Sequence, residues 1–296
     1  MNDPIVTVAA PAKLNLYLHV TGKRDDGYHL LDSLIAFADI GDEIKARAAA
    51  DGSLTLAVRG PFAKDLAEET DNLVLRAAKR LRAAAGIDAG AHMVLEKRLP
   101  VASGVGGGSA DAAAALKALC RLWGVTLPEA EMRALALDLG ADVPICWVGE
   151  PAFVAGIGDE ITPAPPLPAA HLILANPKIG VSTPAVFKAR EGEFQAANPF
   201  RETPIDAAHL AHLLARRSNG LTEAACAVCP PVAHVLDALA ATEGALLTRM
   251  SGSGGTCFAI YESADAALTA AEMLYDAEPG WWVALGRLGT PKDALV

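Results

Sequence analysis

Along the first twenty residues apolar side chains recur at every second position, in IVTVAA and again in LNLYLHV, which is the spacing of a β-strand. DEIKARAA and SLTLAVRG continue that alternation and are separated by ADGS, which predicts two strands joined by a hairpin turn. At Asp71 the period changes. In DNLVLRAAKRLRAAAG, Leu73, Ala77, Leu81 and Ala84 fall on one helical face, and Gly86 supplies a stop. AHMVLEKRLP returns to strand. A glycine-rich turn follows, then an alanine-rich helix in which Ala112, Ala115, Leu116, Leu119 and Trp123 keep helical spacing. Ser109 stands where a helix cap is expected, with Asp111 in the first turn. Thr126 and Glu129 make a capping-box pattern for a helix in LPEAEMRALALDLG. ITPAPPLPAA, residues 161–170, is the best linker, because closely spaced prolines continue neither a helix nor a central strand. Beyond it lie a strand in HLILANP, helices near 206–217, 232–242 and 263–276, and a last strand in GWWVALGRL. Strands and helices do not alternate strictly. An α+β class is therefore expected rather than a doubly wound sheet, with domains over 1–162 and 163–296.

Composition narrows the function classes. With 296 residues, 52% of them hydrophobic and 20% charged, the chain is long enough for a sizeable core and too apolar to be disordered. No run of about 18 apolar residues predicts a membrane span. The first residues lack the basic start and continuous apolar stretch of a signal peptide, so a cytoplasmic protein is expected. A net charge of −10 disfavours a nucleic-acid or anionic-membrane partner. The scattered Cys120, Cys146, Cys226, Cys229 and Cys257 read as reduced thiols. Cys226 and Cys229 form one isolated C-x-x-C, and nothing nearby completes a metal site with His209 and His212.

The chemistry concentrates in LPVASGVGGGSADAAAAL, residues 99–116. A strand, a glycine turn and a helix start together expose backbone N–H groups to an anion, and glycines let a phosphate come close. The spacing matches neither a Walker loop nor G-x-G-x-x-G, since Ser109 stands at the sixth position. A nucleotide-phosphate loop of another type is expected. A second glycine run, SGSGGTCFAIY (251–261), leads into a strand. Alone it would be a bulge or sharp turn, but with the first run it points to a shared ligand cleft.

Three more stretches complete a pattern: PAKLNLYLHVTGKRDDGYHLLDSLIAF (11–37), GADVPICW (140–147) and STPAVF (182–187). With both glycine runs, in this order from Pro11 to Tyr261, the chain resembles the GHMP kinase superfamily, and within it the branch whose acceptor is 4-diphosphocytidyl-2-C-methyl-D-erythritol. The resemblance implies an N-terminal and a smaller C-terminal α/β domain with a deep cleft between them. It implies transfer of the ATP γ-phosphate, with Mg2+, to the acceptor's 2-hydroxyl, a step in the non-mevalonate route to isoprenoid precursors. ATP would lie on Pro100, Ala102, Ser103, Gly104, Val105, Gly106, Gly107, Gly108, Ser109 and Ala110. Asp142 matches the family's catalytic aspartate and Lys13 its active-site lysine. Tyr28 and His29 match the cytosine-binding pair of the cytidine diphosphate substrate, and Phe187 the aromatic on the other side of the base. Asn15 and Thr183 match contacts to the substrate's polyol or phosphates. Lys97 and Arg98 precede the loop, either as cations for the nucleotide or as solvated charges, the latter for Arg98. No strong magnesium cage is evident, and Ser109 is the candidate ligand. Asn219-Gly220-Leu221-Thr222 stands where many relatives carry NDLE, and the missing acidic residues remove the expected contact there. The resemblance leaves the oligomeric state open.

Overall fold

The computed structural model describes residues 4–67 and 71–289, so the outer ends of both expected domains lie outside the described residues. β1 (Val6–Lys23) and β2 (His29–Ala49) form a long antiparallel pair. With β3 (Leu54–Arg59), β4 (Gly90–Glu96), β5 (Ala152–Gly156) and β6 (Glu160–Pro163) they make one sheet, in the order β3-β4-β2-β5-β6 with β1 on β2. A second sheet runs β10-β7-β9-β8, built from β7 (His171–Asn176), β8 (Ala245–Met250), β9 (Cys257–Tyr261) and β10 (Trp282–Arg287). Helices α1 (Leu73–Ala84), α2 (Gly107–Trp123), α3 (Glu129–Leu139) and α4 (Val143–Val148) accompany the first sheet in sequence. Helices α5 (Thr183–Ala189), α6 (Ala207–Ala215), α7 (Thr222–Val228), α8 (Pro231–Ala240) and α9 (Ala264–Ala277) accompany the second. The fold is α+β in two domains, as expected.

Three apolar layers hold it. One core packs β1, β2 and β4 against α1, α2 and α4. A second fills the space between the sheets, where Leu14 and Leu16 of β1 share a cluster with Leu172, Leu174, Phe258 and Ile260. The third packs the outer face of the second sheet on α7, α8 and α9. β1 is consequently buried on both faces from Ala10 to Val20, although its opening pattern is that of a half-buried strand. Helix α2 is apolar on nearly every side because neighbours surround it, and its alanines let β1, β2 and α1 approach closely.

Local expectations fail at four points, each for a physical reason. β3 and β2 are not a hairpin: β4 lies between them, antiparallel to β2 and parallel to β3. Alternate residues of β3 are exposed, which suits an edge, whereas β4 buries Ala91, Met93 and Leu95 and takes the interior. Ser109 does not cap α2. The helix starts at Gly107 behind Gly106, whose φ of 64° is easy only for glycine, and no side chain caps it. The Thr126 capping box does not form, because Pro128 holds the position before α3 and biases the preceding residue away from helix. Residues 161–163 of the expected linker belong to β6, an edge strand where proline is tolerated.

Candidate active site

A cleft of about 700 Å³ opens between the two sheets' domains, lined by both glycine runs and by Lys13, Asn15, Asp142, Thr183 and Phe187. The two runs are docked on each other. Thr256 N donates to Ser103 O at 2.9 Å, and Ser251 Oγ donates to Gly104 O at 3.0 Å. Gly104 has a φ of 78°, and a Cβ there would stand 2.5 Å from the carbonyl oxygens of Ser251 and Gly254. Only glycine fits that crossing. Ala102 in the same loop is one of two non-glycine residues with positive φ among the described residues, at 50°. Its carbonyl accepts from Val181 N, which ties the loop to the segment before α5. Eight of the expected loop residues line the cleft. Val105 and Ala110 do not: both side chains are in the cores, and Val105 serves through its carbonyl, which accepts from Lys13 N at 2.9 Å.

Lys13 and Asp142 face this loop. Bulges in β1 at Pro11/Lys13 and Asn15/Tyr17 re-aim its side chains, and the Lys13 stem lies along Gly106. Lys13 Nζ donates to Asp142 Oδ2 at 2.8 Å, joining residues 129 apart in sequence. Asp142 sits at the start of α4 but makes no capping bond, and its side chain is 42% exposed toward the cleft while Lys13 is only 7% exposed. Asn15 lies beside them, fully enclosed. Its Nδ2 donates to Ser33 Oγ at 2.8 Å, and its Oδ1 has no partner.

At the far end of the cleft Thr183 Oγ1 and Ser253 Oγ are 2.7 Å apart, and Ser182, not Thr183, caps α5. Phe187 lines the cleft. The aromatic group is arranged differently from a simple slot. The His29 ring stacks on Phe187 at 5.0 Å and 27°, and Tyr28 is 62% exposed at the rim, where neither it nor His29 lines the cleft. Partial burial, then the positive charges of Lys23 and Arg190, hold the His29 pKa below its ordinary 6.5.

Several contributors carry no motif. Lys97 is buried rather than solvated and lies between Asp42 and Asp111, whereas Arg98 is exposed as expected. Asp111 is likewise no exposed first-turn charge: burial pushes its carboxyl well up, and Oδ1 has no partner. Asn219 bonds the second glycine run, donating through Nδ2 to the carbonyls of Met250 and Gly252 at 2.8 Å each. That role needs an amide, not the acidic residues missing from this stretch. The signal for Asp42 and Asn219 is absent locally, because each acts on a segment far away in sequence.

No group of three or more His, Cys, Asp or Glu among the described residues could hold a metal, and the C-x-x-C thiols are free. The family model for the GHMP kinases N terminal domain matches residues 72–150, and that for GHMP kinases C terminal matches 201–279. A 4-diphosphocytidyl-2-C-methyl-D-erythritol kinase of Paramagnetospirillum magneticum is 52% identical over 95% of this chain and 98% of its own. Another of that name from Rhodospirillum rubrum is 53% identical over 96% and 92%. A crystal structure of 4-(cytidine 5'-diphospho)-2C-methyl-D-erythritol kinase superposes with a TM-score of 0.79 at 34% identity, over 96% of this chain and all of that one. A homoserine kinase from Cytophaga hutchinsonii shares the fold at a TM-score of 0.72 and 19% identity, over 98% and 96%. The chain belongs to the GHMP kinase family, in the group of the 4-diphosphocytidyl-2-C-methyl-D-erythritol kinases.

Proposed function

We propose that this protein transfers the γ-phosphate of ATP to the 2-hydroxyl of 4-diphosphocytidyl-2-C-methyl-D-erythritol, giving the 2-phosphate and ADP. The observation that carries the chemistry is the Lys13–Asp142 pair, 2.8 Å apart and facing the glycine loop across an open cleft. The acceptor is an alcohol, so a carboxylate must take its proton as the O–P bond forms. Asp142 is the exposed member of the pair and takes that role, while the Lys13 ammonium steadies the carboxylate and the alkoxide developing beside it. The bond from the γ-phosphorus to the β–γ bridging anhydride oxygen breaks, and that oxygen leaves with ADP.

The anion is met mostly by backbone. Lys13 and Lys97 are the cations lining the cleft among the described residues, and both already face carboxylates. The loop N–H groups and the start of α2 therefore receive the phosphates. Mg2+ would be held chiefly by phosphates and water, with the Ser109 hydroxyl as the protein's contribution. When bound, that ion neutralises charge on the transferring group. Phe187 and His29 grip the base, with Tyr28 closing over it, and Asn15 and Thr183 meet the polyol and phosphates. Five free cysteines fit a cytoplasmic enzyme. Asp142→Asn tests this directly: turnover falls by about 10²–10⁴-fold while ATP affinity is retained. Near-normal kcat in that variant would remove Asp142 as the base.

A further inference from the structure

Lys97 is the more unusual of the two cleft lysines. Its side chain is 3% exposed, and its Nζ donates to Asp42 Oδ2 at 2.5 Å and to Asp111 Oδ2 at 2.8 Å. Asp42, from β2, is fully enclosed. Its other oxygen, Oδ1, accepts from the backbone N–H groups of Arg98 at 2.6 Å and Leu99 at 2.8 Å. One carboxylate thus takes three donors, two of them from the chain as it leaves β4 for the phosphate loop. Asp111, on the other side of the ammonium, lies just past the first turn of α2, where the loop ends. Nζ also sits directly behind the helix start: a Cβ on Gly107 would stand 3.0 Å from it.

A buried ion cluster is weak ground for stability, since apolar residues of similar volume often serve as well. What this one supplies is geometry. It joins β2, the entry of the loop and the exit of the loop through one ammonium, and the cleft-lining residues 100–104 and 106 hang between those fixed points. We propose that Asp42, Lys97 and Asp111 are positioning residues for nucleotide: they set the separation of the two ends of the phosphate loop, so that its N–H groups converge on the phosphates. This rests on the assignment of ATP to that loop.

The test is Mg-ATP binding by calorimetry, with separate KM values for ATP and acceptor, in wild type, Asp42→Asn and Asp111→Asn. Asp42→Asn keeps the size and loses the charge. It raises the Kd and KM for ATP roughly tenfold, because misplacement by a fraction of an ångström is enough. The acceptor KM stays within about twofold, as expected when only nucleotide binding is lost. Asp111→Asn shifts the same quantities less, since it gives up one bond. A cluster with only a structural role lowers Tm in both variants and leaves the ATP affinity of the folded protein unchanged, and that result overturns the proposal. If Asp42→Asn does not fold, Asp111→Asn decides alone, and unchanged ATP affinity there overturns it. Wild-type protein without ATP affinity contradicts the kinase assignment itself and this role with it. Binding by wild type with indifferent variants contradicts this role only.

Discussion

Asp142 opens a helix yet caps nothing, and its carboxylate turns to Lys13 instead. A similar contrast separates the residues proposed to grip the base. Phe187 lines the cleft and carries the His29 ring, whereas Tyr28 stands largely in solvent. Phe187→Ala should therefore raise the KM for the cytidine substrate more than Tyr28→Ala does. Loss of one aromatic stacking partner is worth about 1–3 kcal/mol, so a rise of about five- to 150-fold is expected in steady-state kinetics. Equal effects would place the base away from Phe187. His29 adds a pH signature. Its pKa is held below the ordinary 6.5, so the imidazole stays neutral as pH falls through that value. The acceptor KM should remain level down to 6.5 and climb only below it, because a charged ring then faces Lys23 and Arg190. A rise already complete at neutral pH would contradict a neutral His29 in binding.

Helix α2 shows what an element can carry besides its loop. Lys117 projects from it into α4, where Nζ lies 3.5 Å from Cys146 O and 5.7 Å from the Trp147 ring centre. Burial lowers its pKa from 10.5 to about 8. The unfolded chain then holds more protons than the folded one between those values, so stability rises as pH climbs from about 8 to 10.5. Lys117→Met should stabilise the protein at neutral pH by on the order of 2 kcal/mol, seen as a higher Tm. The gain should vanish in alkaline buffer. A gain independent of pH would mean packing, not charge, is responsible. Legibility follows the same division. α1, α9 and β10 were readable because their periodicity is local, whereas the Asn72 cap of α1 shows only in the structure. The insertion of β4 between β2 and β3 was not, because strand order is decided by which strand buries more, and ADGS looks like a hairpin turn either way. The motif positions of Lys13 and Asp142 pointed to the pair, but the 2.8 Å contact depends on a β1 bulge and an α4 start far apart in sequence. Asp42 left no trace in the pattern, since its partners are backbone N–H groups of another segment.

Across the whole molecule the two domains share the apolar layer between their sheets, and at the cleft they meet through backbone. Glycine on each side removes the side chains that would hold them apart there, Ser251 locks the crossing, and Asn219 holds the second run in shape. That architecture is shared with a homoserine kinase at 19% identity, so the fold alone does not select the acceptor. On the proposed function, selection falls to the aromatic rim and the polar groups around Asn15 and Thr183. The most direct measurement is ADP release from purified protein with Mg-ATP, comparing 4-diphosphocytidyl-2-C-methyl-D-erythritol with mevalonate, homoserine and no acceptor. Release only with the cytidine compound is predicted. Turnover with mevalonate or homoserine, or none with the cytidine compound in protein that binds ATP, would contradict the proposed function.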